Sequence, residues 1–349
     1  MSNSTKSYLS IVVTTRNDNH GGDLLLRTQT FVNGLIHQCN KFDFFVELIV
    51  VEWNPPMGKP LLNEVLPQPT PTDKLCLRYI VVPNEIHRQY ISHNSIPLFQ
   101  MIAKNVGIRR AKGDYILCTN IDILFTDECF ARLIKRDFES NAFYRANRMD
   151  VDKGLLELAT FDEQLNFAKT QIIKRLGKNS ELKHLRGLPS FFFGFTNSMK
   201  VLDYFWGFVD RFVQGDSYAL NQLDTMACGD FTIMHKDAWI AIDGYVELDM
   251  YSIHIDSMAL YAAQLRGMKQ VIFNWKEVVY HIDHADGWET ITDAAAMLRF
   301  LAKKPGLDWW LVVKATLQLM KEGKTKYELN KPNWGFVDQH FDEIVFNNC

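Results

Sequence analysis

The stretch that decides the fold is residues 104–125, KNVGIRRAKGDYILCTNIDILF. It reads as the end of a helix, a tight turn at Gly113-Asp114, a buried strand over 115–118 and an acidic tip, Asn120-Ile121-Asp122. Helix, turn and strand in that order form part of a βαβ series, and right-handed crossovers turn such a series into a parallel sheet. A carboxylate at the C-terminal end of a parallel strand lies where open α/β sheets bind ligands. Beside a polar amide it suits a hard divalent cation, which takes oxygen ligands and keeps phosphates in its coordination sphere. The stretch therefore points to a metal-bound nucleotide.

Working outward, the first half of the chain alternates strand and helix. Residues 9–15 are a short β-branched run of the kind found in fully buried parallel strands. A polar loop, 16–23, leads to apolar residues at helical spacing over 24–39. A second strand, 46–51, ends in Glu52-Trp53-Asn54-Pro55-Pro56, where the prolines stop regular pairing. The connection LPQPTPTDK precedes a third strand over 77–82, and a helix over 96–111 completes the series.

Downstream, Thr126 is a natural N-cap for a helix through 134, which leaves Asp127 as a helix-start residue favoured by the dipole. Cys228-Gly229-Asp230 reads as a glycine turn feeding a strand, and 256–267 as a helix closed by glycine. Short strands follow at 271–273 and 278–281. The stretch 150–225 mixes short helical patterns with apolar clusters; its aromatics, Phe191 to Phe195 and Trp206, read as core. The expected class is α/β, with a mainly parallel central sheet and helices on both faces. Three segments are expected: a first half over 1–125, a second half of the same domain over 126–290, and a C-terminal helical extension over 291–349.

Net charge is -3, so nothing favours a polyanionic partner such as nucleic acid. The six cysteines are scattered without C-x-x-C spacing, which favours reduced thiols over a disulfide framework. The N-terminus lacks the basic and apolar regions of a signal peptide, and no apolar run is long enough to span a bilayer. Residues 307–320 come nearest, but Lys314 and Gln318 make them an amphipathic helix that packs on the core, with an interfacial helix as the alternative. A cytoplasmic protein is expected, with peripheral contact at a membrane face as a further option.

The ordered set SIVVTTRND, ELIVVEWNPP, KNVGIRRAKGDYILCTNIDILF, GDFTIMHKDAWIAIDGY, HIDSMALYAAQLRG and VVYHIDH resembles the GT-A glycosyltransferases, close to the family-2-like enzymes. The resemblance covers roughly Ser10 to His284, and Asn333-Trp334-Gly335 is also reminiscent of such proteins. It implies a Rossmann-like nucleotide-diphospho-sugar transferase fold. It also implies transfer of a sugar from a UDP-sugar to a hydroxyl of a glycan or glycolipid, assisted by Mn²⁺ or Mg²⁺.

By the same resemblance Thr14, Thr15, Arg16, Asp18 and Glu52 hold the nucleoside, and Asn105, Asn120 and Asp122 complete the donor site. Asn120 stands where the family's D-x-D motif has its first aspartate. Asp122 is the implied metal ligand, joined by His281 or His284, whose imidazoles suit Mn²⁺ better than Mg²⁺. Strand periodicity sets His281 and His284 on opposite faces unless the chain turns between them. Gly229 and Asp230 take the acceptor position. Asp256 is the implied base of an inverting reaction, with His254 as the alternative; a retaining enzyme would need neither. Two other functions stay open. One is a sugar-phosphate nucleotidyltransferase, although the glycines of the loop after the first strand, Gly21 and Gly22, come late for it. The other is a non-catalytic glycan-binding scaffold, to which Asn120 lends support.

Overall fold

The computed structural model describes residues 7–177, 220, 223–284 and 305–347. The aromatics at 191–195 and Trp206 lie outside them, as do the side chains of Trp309 and Trp310. In chain order the first half runs β1 (Leu9–Thr15), α1 (Leu24–Lys41), β2 (Val46–Trp53), α2 (Leu62–Val65), β3 (Leu75–Val82), α3 (Asn84–His87), α4 (Gln100–Arg110) and β4 (Tyr115–Thr119). Then come β5 (Ile123–Phe125), α5 (Asp127–Ile134), β6 (Ala142–Arg145), β7 (Arg148–Val151), α6 (Phe161–Thr170) and β8 (Ile172–Leu176). After residue 223 come β9 (Phe231–His235), α7 (Lys236–Ala241), α8 (Ile255–Leu265), β10 (Lys269–Ile272), β11 (Val279–Ile282), α9 (Trp309–Lys321) and β12 (Asp342–Phe346).

Every residue of β1, β2 and β4 is buried, which is why these strands are continuous apolar runs rather than alternating ones. Odd positions of β2 (Ile49, Val51, Trp53) face a core built with α4 and α8. Even positions (Leu48, Val50) face a second core that takes Phe31 and Leu35 from α1 and Phe130 from α5. The helices thus cover both faces. Thr126 caps α5 by accepting the Cys129 N–H at 3.1 Å, as its position before Asp127 predicts.

The large sheet has the order β10-β6-β9-β4-β1-β2-β3-β12. Here the structure corrects the expected mainly parallel sheet: the sheet is mixed. β4, β1, β2 and β3 run parallel, but β9 is antiparallel to both β4 and β6, and β12 is antiparallel to β3. The physical reason lies in where β9 and β12 begin. The Cys228–Asp230 turn is tied to the C-terminal end of β4, where the Thr119 hydroxyl donates to the Asp230 carbonyl at 2.6 Å. A strand that starts there can only run back down the sheet. β12 likewise starts opposite Val81, near the C-terminal end of β3.

Between β1 and β4 the strand order reverses, because β2 lies on one side of β1 and β4 on the other. The crevice outside the C-terminal ends of two such strands is the usual ligand position of an open α/β sheet. A four-stranded second sheet, β5-β11-β7-β8, packs against α6 beside it. Its registers put His281 opposite Asp150 on β7 and opposite Ile123 on β5. These pairings carry a histidine and an acid to the crevice.

The C-terminal segment closes the other side of α4. Arg109 lies over the Trp334 ring, 4.4 Å from its centroid, and Arg110 donates to the Gly335 and Phe336 carbonyls at 2.8 and 2.7 Å. Gly335 has φ 64°, and a Cβ there would stand 2.5 Å from the Asn105 carbonyl oxygen, so only glycine allows this approach. In α9, Val312, Val313 and Thr316 are buried while Leu311 is exposed, the pattern expected of a packed amphipathic helix. Among the described residues no helix is long and apolar enough to cross a membrane. Cys39, Cys118, Cys129 and Cys228 are buried free thiols; Cys76 is disulfide-bonded and departs from the expected reduced set.

A buried ion pair and its hydrogen bonds join four strands, β1, β2, β3 and β12. Glu47 on β2 accepts from the Ser10 hydroxyl, from Lys112 N–H at 2.8 Å and from Arg78 Nη1 at 2.5 Å. Arg78 Nε also reaches Glu343 on β12 at 2.6 Å. Removing one member of a buried pair leaves the other charge uncompensated, which costs roughly 3–5 kcal/mol. Arg78→Met is expected to lower the unfolding free energy by about that amount, read as a shift in urea midpoint.

Candidate metal centre and ligand cleft

Asp122 follows β4 at the strand-order reversal and is 7 % exposed. Its Oδ2 lies 3.0 Å from Arg27 Nη1, 3.2 Å from His284 Nε2 and 3.7 Å from His281 Nε2. Burial alone would keep this carboxyl protonated. The charge of His281, the hydrogen bond and charge of His284, and Arg27 outweigh burial and hold it well below the usual carboxylate range. Ion-pairing with Asp122 and contact with Asp150 likewise raise His281 against the opposing effects of burial and Arg148.

One ligand atom from each of Asp122, His281 and His284 lies within 4.8 Å of the others. Asp122 Oδ1 is buried and has no hydrogen-bond partner among the described residues. A carboxylate whose Oδ2 lies beside two imidazoles and whose Oδ1 is left without a partner among the described residues fits a divalent cation. His281 and His284 converge because β11 ends at Ile282 and the chain turns, so strand periodicity no longer separates them. The loop after β1 closes over this group: Arg27 donates to the His20 and Gly22 carbonyls at 2.5 and 3.0 Å. Gly21, φ 73°, lies so close to His284 that a Cβ would come within 2.7 Å of Nδ1.

A chain of buried contacts leads away from the centre. His281 Nδ1 is 3.2 Å from Asp150 Oδ1, although the angle falls short of a hydrogen bond. Arg148 joins Asp150 at 2.6 Å to Asp230 at 2.6 Å. Asp230 accepts from Asn120 Nδ2 at 2.5 Å, and Asn120 Oδ1 accepts from Gln100 at 2.8 Å and Lys104 at 2.9 Å. Lys104, fully buried, also donates to the Gly229 carbonyl at 2.8 Å, and burial lowers its pKa. The Gly229 N–H donates to Asp256 Oδ2 at 2.8 Å, while Asp256 Oδ1 accepts from Ser257 N–H at 2.9 Å.

Asn120, Gly229, Asp230 and Asp256 are therefore brought together. The polar atoms of Asn120 and Asp230 are spent within the protein, so both brace the site. His254 starts α8 in the left-handed region, φ 64°, and burial lowers its pKa, leaving it neutral near pH 7. Asn105 is not brought to the crevice. It binds Tyr245 through both its N–H and its carbonyl, and it binds Glu247, so it locks α4 to the chain at 243–247.

On the other side of β1 a cleft of about 510 Å³ opens between Arg16, Asn54, Asn84, Arg88 and Asn94, with His87 and His93 in its wall. His87 accepts from Trp53 Nε1 at 2.9 Å and lies 3.0 Å from the His93 carbonyl, which makes it a neutral wall residue, and burial lowers its pKa. Arg16 lies 3.1 Å from Asp18 and donates to the Asn54 carbonyl at 3.1 Å. Thr14 donates to the Val51 carbonyl at 3.0 Å, and Thr15 is buried at the strand end. Glu52 is fully buried. Its Oε2 accepts the Leu62 N–H at 2.8 Å, and Oε1 has no partner among the described residues. Burial pushes this carboxyl up to about 7, against the opposing Leu62 hydrogen bond.

Arg27, Lys104, Arg148 and Asp150 escaped the sequence reading. Arg148 and Asp150 carried a faint signal: opposite charges at i and i+2 share one face of a strand. Arg27 carried none, since it reads as an ordinary polar position of α1. No protein-family model matches the chain, and no match was found among curated proteins.

Glu52 sets a pH dependence. Its folded pKa of about 7 lies above the ordinary 4.5, so between those values the native state keeps a proton that the unfolded chain releases. Stability accordingly falls as pH rises through this window, by up to about 3 kcal/mol. Glu52→Gln is expected to flatten that slope in urea unfolding series at pH 4.5, 6 and 7.5.

Proposed function

We propose that this chain is a metal-dependent glycosyltransferase. It moves a sugar from a nucleoside-diphosphate donor, a UDP-sugar, to a hydroxyl of a glycan or glycolipid. The observation that carries the reading is the convergence of Asp122, His281 and His284 at the strand-order reversal, beside a polar cleft. The assignment to the GT-A fold, and UDP as the nucleotide, rest on the resemblance of the ordered motifs.

In this reading Asp122, His281 and His284 would hold a divalent cation, whose chemistry there would be to neutralise charge developing on the diphosphate leaving group. The nucleoside lies in the cleft beyond β1, where Arg16 and Arg88 offer charge and the Asn54, Asn84 and Asn94 side chains offer amides. Glu52, which the resemblance sets at the nucleoside, is fully buried and is not among the residues that line this cleft. A neutral His254, or Asp256, takes the acceptor proton as the hydroxyl attacks the anomeric carbon.

The nucleotidyltransferase alternative needs an open glycine loop for triphosphate. Here Gly21 lies against His284, and the Gly22 carbonyl accepts from Arg27.

Calorimetry of UDP with and without Mn²⁺ tests the reading. Mn²⁺-dependent binding is expected, weakened at least about tenfold in Asp122→Ala. No UDP binding under any metal condition would sink it. For the base, Asp256→Asn and His254→Gln are compared in a transfer assay. The true base loses about 10²–10⁴-fold in kcat with UDP affinity unchanged.

A further inference from the structure

We propose that Asp150 is a positioning residue for the metal centre: it orients the His281 ring so that Nδ1 faces the Asp150 carboxylate and Nε2 is presented to the cation beside Asp122. The inference rests on the metal-centre reading above. Three observations carry it. The parallel register of β11 and β7 sets His281 directly opposite Asp150, so the pairing is built into the sheet. The two ring nitrogens divide between two acids, with Nδ1 3.2 Å from Asp150 Oδ1 and Nε2 3.7 Å from Asp122 Oδ2. Asp150 is 4 % exposed and is itself held by Arg148 at 2.6 Å, so its carboxylate has little freedom to turn away.

An imidazole that binds a metal through one nitrogen donates its other N–H, commonly to a carboxylate, and that partner fixes both tautomer and ring angle. Asp150 is the group placed to accept it. The contact is short but bent; a cation held at Nε2 would leave the proton on Nδ1, where Asp150 is placed to accept it. Arg148 extends the constraint to Asp230, 2.6 Å away, and through it to Asn120. The orientation of the metal ligand and of the Gly229 turn are thereby set by one buried arginine.

The test is Mn²⁺ titration of the full chain by calorimetry, on wild type, Asp150→Ala, Asp150→Asn and Asp122→Ala, with melting temperatures in EDTA alongside. Asp150→Ala is expected to weaken Mn²⁺ binding about 10–100-fold. Asp150→Asn keeps an oxygen acceptor for Nδ1–H and is expected to restore affinity to within about threefold of wild type.

A role confined to stability would lower the EDTA melting temperature of Asp150→Ala and leave its Mn²⁺ affinity unchanged. That result, with Asp122→Ala defective, would overturn the proposal while the metal centre stands. A wild type that binds no Mn²⁺ would remove the metal centre and this proposal together. Should Asp150→Ala not fold, ¹⁵N-histidine spectra of the Zn²⁺-loaded wild type decide, with His281 assigned by its loss in His281→Gln. An Nδ1–H tautomer is expected at His281, and an Nε2–H tautomer would overturn the proposal.

Discussion

A carboxylate kept ionised in the interior is the constraint around which this molecule is arranged. Asp122 sits at the end of β4 with 7 % of its surface exposed, where an unpaired charge would cost several kcal/mol. It is held by groups from separate parts of the chain: Arg27 from α1, His281 from β11 and His284 just beyond it. For those groups to meet, α1 must lie on its face of the large sheet, and β11 must pair with β5 and β7 in register. Misplacing either element strands a buried charge, so the site and the fold support one another.

The same logic runs outward as an alternation of sign. Asp122, His281, Asp150, Arg148 and Asp230 follow one another at 2.6–3.7 Å, each acid set against a base. Asn120 and Lys104 then carry the sequence to Gly229, whose N–H meets Asp256. Each member has little room to relax, because moving it leaves a neighbour uncompensated in a medium where unpaired polar groups are costly. Such a network is preorganised: its dipoles are already aimed before a ligand arrives, which is the condition for electrostatic stabilisation of developing charge.

Local signals and long-range ones were legible to different degrees. The β1 and α5 boundaries follow from a β-branched run and from a threonine N-cap, both encoded within a few residues. The position of Asp122 at a ligand edge followed from the helix-turn-strand order alone. The antiparallel entries of β9 and β12 did not, because strand direction depends on where the preceding turn is anchored, a contact over a hundred residues away for Thr119 and Asp230. His281 and His284 were each visible as candidates, but their convergence needed the turn after Ile282. Arg27 was illegible for a plainer reason: a buried arginine looks in sequence like an exposed one until its acid is known. Asn105 is illegible in the same way, because a helical asparagine that binds the chain at 243–247 looks the same as one facing the crevice.

Asn120 shows why an amide suits the first position of the tip. Its Nδ2 donates to Asp230 at 2.5 Å, and Asp230 is needed to pair with Arg148. A carboxylate at 120 would set two acids at hydrogen-bonding distance in a largely buried place, where one of them must take up a proton. The amide avoids that conflict and still offers Oδ1 to Lys104. At the other end of the tip, among the described residues, two imidazoles and not a second acid stand beside Asp122. The amide at 120 thus goes with the Asp230–Arg148 pair beside it, whose charge balance a further acid would upset.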